Sequence, residues 1–214
     1  IRWAALAGCP RVDSTDGLEK PAEYDAEEAL ARMKESYARI VEVATRYDIT
    51  VNIETHGFFT GSPEYMERML DFVDSPLLRM TFDTGNVYIA GQDPEEFLRR
   101  FGDRVAHVHI KDVAPKLSEE ARGKQSGIGM SHSAIGEGRN AGHIVGCLRL
   151  LKERGFAGAV SLECDAAGGP VMERSIDWFR KTLDSLEYPH DLESDPRRNT
   201  GTSSQSGQGN PSEQ

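Results

Sequence analysis

Apolar positions along this chain follow two alternating rhythms, short near-continuous runs and longer stripes at helical spacing. The runs predict strands and the stripes predict amphipathic helices. Ile1–Gly8 (IRWAALAG) reads as a buried strand and Cys9–Asp25 as a polar loop. Ala26–Tyr47 is the strongest predicted helix, with Leu30, Met33, Tyr37, Ile40, Val41 and Ala44 on one stripe. Ile49–Glu54 predicts the next strand. Ser62-Pro63 then caps and opens a helix that faces inward with Tyr65, Met66, Met69, Leu70 and Val73. Leu78–Asp83 predicts a strand and Thr84–Gln92 a loop. Asp93-Pro94 starts a helix carrying Phe97, Leu98 and Phe101. Val105–Asp112 (VAHVHIKD) predicts another strand, followed by a long insertion over Val113–Arg139, rich in Gly, Ser and Lys. Ile144, Cys147, Leu148 and Leu151 mark a helix, Ala159–Cys164 the last strand and Val171–Leu186 the last helix. Residues 1–187 therefore read as one folded unit. Residues 188–214 lose their apolar content and read as a disordered polar tail.

Five strand–helix units in alternation predict an α/β fold with a parallel sheet. The polar residues narrow the choice. Four predicted strands end in a metal-capable side chain: Glu54, Asp83, His109 and Glu163. An open sheet gathers its site at a switch point, usually beside a Gly-rich turn, and no G-x-G-x-x-G follows a strand here. In a (β/α)8 barrel the C-terminal strand ends converge on one mouth, which fits residues spread over several strands.

Composition excludes some classes. Lys plus Arg number 25 against 35 Asp plus Glu, a formal charge of −10, which argues against a nucleic-acid or anionic membrane surface. No apolar run approaches the ~18 residues of a membrane span. Cys9, Cys147 and Cys164 fit neither a disulfide framework nor a zinc pattern, and a reduced, cytoplasmic setting is the expectation.

The segments IETHG (Ile53–Gly57), FDTGN (Phe82–Asn86), HVHIKD (His107–Asp112), IGEG (Ile135–Gly138) and SLECD (Ser161–Asp165) carry a resemblance. In order and spacing they resemble the xylose isomerase-like TIM-barrel superfamily, in its sugar-phosphate isomerase/epimerase branch. The likeness runs from Ile1 to Leu186. It implies a (β/α)8 barrel from which the first three β/α units are missing, with the strand at Ile1 as the fourth. It implies that Glu54, Asp83, His109 and Glu163 hold a divalent metal, and that Glu54 and Glu163 also act as the acid/base pair. Family members often carry His three residues after the metal-binding Asp; Asn86 stands there in this chain.

Three carboxylates and an imidazole form an oxygen-rich donor set, suited to Mn²⁺ first and also to Mg²⁺, Co²⁺ or Zn²⁺. Such a site fits proton transfer at a carbon next to a carbonyl, with the metal stabilising an enediolate. The expectation is thus an isomerase or epimerase of a small sugar, sugar phosphate or polyol ketone. The alternatives are an inosose dehydratase-type lyase, an endonuclease IV-like repair enzyme, or an inactive barrel that binds a ligand or partner. His56, Asn86, His107, Lys111, Glu137 and Arg139 are the candidates for substrate contact or support of the ligands. A homo-oligomer, or a further N-terminal part of the barrel, is the expected partner. Each residue has a plainer reading too: a strand-end Glu is often solvated, Asp83 can cap a turn, and either histidine can be a satisfied core residue.

Overall fold

A computed structural model of the chain describes residues 1–17, 22–124, 129–165 and 168–190. Five parallel strands form one sheet in sequential order: β1 (Arg11–Ser14), β2 (Thr50–Glu54), β3 (Leu78–Asp83), β4 (Val105–Lys111) and β5 (Ala159–Glu163). The sheet curls as half of a barrel, and the helices pack on its outer face. The described helices are α1 (Arg2–Leu6), α2 (Ala26–Tyr47), α3 (Pro63–Leu70), α4 (Thr84–Ile89), α5 (Pro94–Phe101), α6 (Pro115–Ala121), α7 (Ala141–Glu153) and α8 (Gly169–Ser185); α1 and α6 bury no residue and stand outside this packing. Starts follow from local chemistry. Asp25, Ser62 and Asp93 each accept a backbone N–H of the first turn, and α3 and α5 both open on proline.

The core lies between sheet and helices. Val51, Ile53, Leu78, Met80, Phe82, Val108 and Ile110 point outward from the strands and are all fully buried. They meet Leu30, Tyr37 and Val41 of α2, Met66 and Met69 of α3, Phe97 and Leu98 of α5, and Leu148 and Leu151 of α7. Their strand neighbours alternate to the concave face, where the polar residues gather.

One irregularity sets which side chains reach that concave face. The β3–β4 register steps from Met80↔Val105 to Thr81↔His107, so Ala106 is an extra residue on β4. Without this bulge Thr81 would sit beside Ala106 and Asp83 beside Val108. With it, Asp83 pairs with His109 and both turn inward, because a one-residue slip reverses every side chain.

The N-terminal expectation is corrected. Ile1–Gly8 is not a strand; its Arg2–Leu6 segment is a short helix, with Trp3 and Leu6 84% and 80% exposed. The strand that pairs with β2 is Arg11–Ser14, inside the stretch read as loop. Two further loops also hold helices, α4 within Thr84–Gln92 and α6 within Val113–Arg139. At the other end the packed chain continues past 187, because the Tyr188 hydroxyl donates to the Phe156 carbonyl. The rest of the expected tail, residues 191–214, lies outside the described residues.

Candidate metal centre

Glu54, Asp83, His109 and Glu163 come from the ends of β2, β3, β4 and β5. The fold brings one ligand-capable atom from each within 4.8 Å of the others. His109 is the hub. Its Nδ1 lies 3.0 Å from Glu54 Oε1 and 2.8 Å from Glu163 Oε1. Burial opposes its charge, yet the hydrogen bonds to Glu163 and Glu54 overcome this and push its pKa up to about 10. The same hydrogen bond from His109, with Lys111 beside it, holds the Glu163 carboxyl down at about 2.

Asp83 is fully buried and splits its two oxygens between two tasks. Oδ1 accepts the Gly85 and Asn86 amides at 2.7 and 2.8 Å and so caps α4. Oδ2 is buried with no hydrogen-bond partner. Burial, with Glu163 nearby, raises the Asp83 pKa to about 7 against the pull of Lys111. The turn-cap reading and the ligand reading are thus both compatible with this residue. Its Oδ2 makes no hydrogen bond and has the Lys111 ammonium 3.8 Å away; a divalent cation among three carboxylates and an imidazole would give it a closer counter-charge. The donor set and its convergence fit a metal of that class.

Lys111 also enters the cluster. Register pairs it with Glu163, and its Nζ lies 2.9 Å from Glu163 Oε2, 3.5 Å from Asp165 Oδ2 and 3.8 Å from Asp83 Oδ2. Burial works against its charge, but Asp83 and Glu163 outweigh it and keep the ammonium above its ordinary pKa. Its backbone is fixed by the Thr84 hydroxyl, 3.0 Å from the Lys111 N–H, and by Asn140, whose Nδ2 donates to the Lys111 carbonyl at 2.9 Å. Its stem runs over Gly85, where a Cβ would lie 2.5 Å from Lys111 Cγ.

Two other candidates carry buried polar atoms without hydrogen-bond partners. Asn86 is 1% exposed, and neither its Oδ1 nor its Nδ2 has a partner. His56 has a buried Nδ1 with no hydrogen bond, while its backbone N–H donates to Thr60 Oγ1. His107 lies one layer deeper, with Nε2 2.8 Å from Ser161 Oγ and Nδ1 3.4 Å from Asp13 Oδ2. Its ring stands edge-on to His109 at 4.6 Å between centroids. Glu137 and Arg139 do not join the cluster. Glu137 pairs with Arg174 at 2.8 Å and Arg139 with Glu119 at 3.4 Å, each more than half exposed. The cause is Asp112, whose carboxylate accepts the Gly136, Gly138 and Asn140 amides. That draws the loop backbone inward and turns these side chains out.

Sequence reasoning missed Asp13 and Asp165. Asp13 anchors the deeper polar layer, accepting from Asn52 Nδ2 at 2.9 Å and from the Thr81 hydroxyl. Burial would raise its pKa, but hydrogen bonds from His107, Thr81 and Asn52 hold it well below the usual carboxylate range. Asp165 follows Glu163 by two, the spacing that signals a shared face.

The profile of a family described as xylose isomerase-like TIM barrel matches residues 1–182. An inosose dehydratase of Bacillus licheniformis is 30% identical over 105 residues, covering 49% of this chain and 34% of that protein. One from Geobacillus kaustophilus is 35% identical over 69 residues, 32% of this chain and 22% of its own length. The chain thus spans well under two thirds of these curated relatives. Among solved structures, a D-tagatose 3-epimerase-like protein superposes with TM-score 0.69 at 22% identity, over 87% of this chain and 66% of that one. The IolI protein with a bound zinc atom gives TM-score 0.68 at 15% identity, over 86% and 66%. At these identities the superpositions speak for the fold alone.

Proposed function

The chain belongs to the xylose isomerase-like TIM barrel family, and from that membership and the site's geometry we propose that it is a divalent-metal-dependent sugar isomerase or epimerase. The observation that carries the proposal is the convergence of Glu54, Asp83, His109 and Glu163 within 4.8 Å, with a buried Asp83 oxygen that accepts no hydrogen bond. These four residues would hold the metal, Mn²⁺ by preference for an oxygen-rich set. When bound, a divalent ion acts as a Lewis acid at a ketone oxygen and makes the neighbouring C–H more acidic.

The chain's own residues supply the proton transfers. Glu54 and Glu163 both approach His109, from β2 and β5, with β3 and β4 between them on the sheet. Glu163 is kept ionised by His109 and Lys111, the state a base needs. It takes the proton from the carbon next to the carbonyl, and Glu54, in its acid form, delivers one either to the opposite face of that carbon or to the former carbonyl carbon, where the hydroxyl proton also passes to the former carbonyl oxygen. The first outcome is epimerisation and the second isomerisation. Asn86 and His56, with free polar atoms at the mouth, bind substrate hydroxyls. Asp83 stays fixed through its cap to α4, so the site is preorganised.

A second reading rests on two observations, the inosose dehydratases among the sequence relatives and the Lys111 ammonium beside Glu163. After the same first proton abstraction, a cation at that place favours loss of a hydroxyl from the next carbon. Incubation with Mn²⁺ in D₂O and a panel of ketohexoses, ketopentoses and inososes, followed by NMR, separates the two. Deuterium incorporated beside the carbonyl with an intact product indicates isomerase or epimerase chemistry; a dehydrated product indicates the lyase. Exchange that is absent throughout, or unchanged in Glu163→Gln, contradicts both.

A further inference from the structure

The buried cluster already contains a fixed cation, and its position has consequences for metal occupancy. Lys111 Nζ stands within 2.9 Å of Glu163 and 3.8 Å of Asp83, two of the four residues proposed to hold the metal. Its side chain is 5% exposed. Three separate features keep it there: the Thr84 and Asn140 hydrogen bonds to its backbone, and the space that Gly85 leaves for its stem. A third carboxylate, outside the ligand set, faces the same ammonium. Asp165 Oδ2 is 3.5 Å from Nζ and is itself held by the Ser131 amide at 2.9 Å.

We infer that Lys111 is a resident counter-cation that competes with the divalent metal for Glu163 and Asp83, and that Asp165 is the carboxylate that draws it aside. The inference rests on the metal reading of the site. Two cations cannot share the same carboxylate oxygens without mutual repulsion, and a buried charge must keep a partner. As the metal takes Glu163 and Asp83, the ammonium loses two of its three carboxylate neighbours and depends on Asp165. Lys111 and Asp165 therefore set metal affinity without being ligands. Their removal acts in opposite directions.

Calorimetric titration of Mn²⁺ into the full chain tests this, with Lys111→Met, Asp165→Asn and the double variant compared under identical conditions. Lys111→Met should tighten Mn²⁺ binding by about tenfold or more, the order expected when a fixed like charge leaves the neighbourhood of two ligand carboxylates. Asp165→Asn should weaken it. In the double variant the Asp165→Asn effect should shrink to under about threefold, because its target is gone. Lys111→Arg keeps the charge and should bind within about threefold of the parent chain. If far-ultraviolet dichroism shows Lys111→Met unfolded, Lys111→Gln carries the same comparison.

Unchanged or weaker binding in the charge-removing variant overturns the inference. Strict additivity in the double variant also overturns it, since a general charge effect has no need of contact between the pair. Failure of the parent chain and all variants to bind Mn²⁺ overturns the metal reading itself, and the inference with it. Binding by the parent without a gain in Lys111→Met removes the inference alone.

Discussion

Each central strand of this half-barrel has two faces with opposite chemistry. On β3, Phe82 and Asp83 are adjacent and equally buried, yet one meets Phe97 of α5 and the other the polar cluster. On β2 the pair is Ile53 and Glu54; on β4 it is Ile110 and Lys111. The outer residues gain stability by leaving water. The inner ones bring charges together where burial works against them, as the raised Asp83 pKa of about 7 records. Stability is built on the convex side and tolerates a charge-rich concave side.

The comparison can be broken first on its outer face. Phe82→Ala removes a fully buried ring and should lower the unfolding free energy by about 3–5 kcal/mol, read by urea denaturation. A loss close to zero would mean the outer face is not where stability resides. The next effect lies at the boundary between the faces. Gly85→Ala places a methyl 2.5 Å from the Lys111 stem, an overpacking that should cost about 1–3 kcal/mol. Its Mn²⁺ affinity should change as well, because the ammonium moves; an unaltered affinity and melting temperature would remove Gly85 as the reason the stem fits.

The inner face should also respond to pH. His109 retains its proton up to about pH 10, and a ligating imidazole nitrogen must give that proton up. Metal affinity should therefore rise with pH, by about tenfold per unit for each proton displaced. The slope should steepen below about pH 7, where the Asp83 carboxyl also carries a proton. Titrations in buffers of different ionisation enthalpy give the number of protons released; a count of zero at neutral pH would contradict the clamp on His109. The smallest effect belongs to the loop. Glu137→Gln and Arg139→Gln sit on exposed ion pairs, and both should leave melting temperature and metal affinity unchanged. A fall in affinity would return these side chains to the site.

The sequence made the strand-end residues legible for a physical reason. Glu54, Asp83 and Glu163 each close a short apolar run, so a lone carboxylate after apolar positions stood out. Its order of strands and helices was readable from the same alternation. β1 was not, because Arg11–Ser14 carries Asp13 at the centre of a strand whose inner face is polar. An apolar test selects IRWAAL instead, although that segment pairs with no strand. The outward placement of Glu137 and Arg139 was not legible either, for another reason. Nothing local to a Gly-rich loop tells which way its side chains turn, and a carboxylate distant in sequence, Asp112, decides it. Asp165 was available from its spacing to Glu163, but its meaning depends on Lys111, which arrives from the neighbouring strand.

The most direct measurement is a calorimetric titration of Mn²⁺ into the chain and into Asp83→Asn. The substitution keeps the oxygen that caps α4 and removes the charge from the unpartnered one. One saturable ion in the parent chain is expected. Its affinity should fall in the variant by well over the roughly 10–100-fold typical of a residue that only supports a ligand. Equal binding by both proteins, or none by the parent, would contradict the assignment of Glu54, Asp83, His109 and Glu163 as a metal centre.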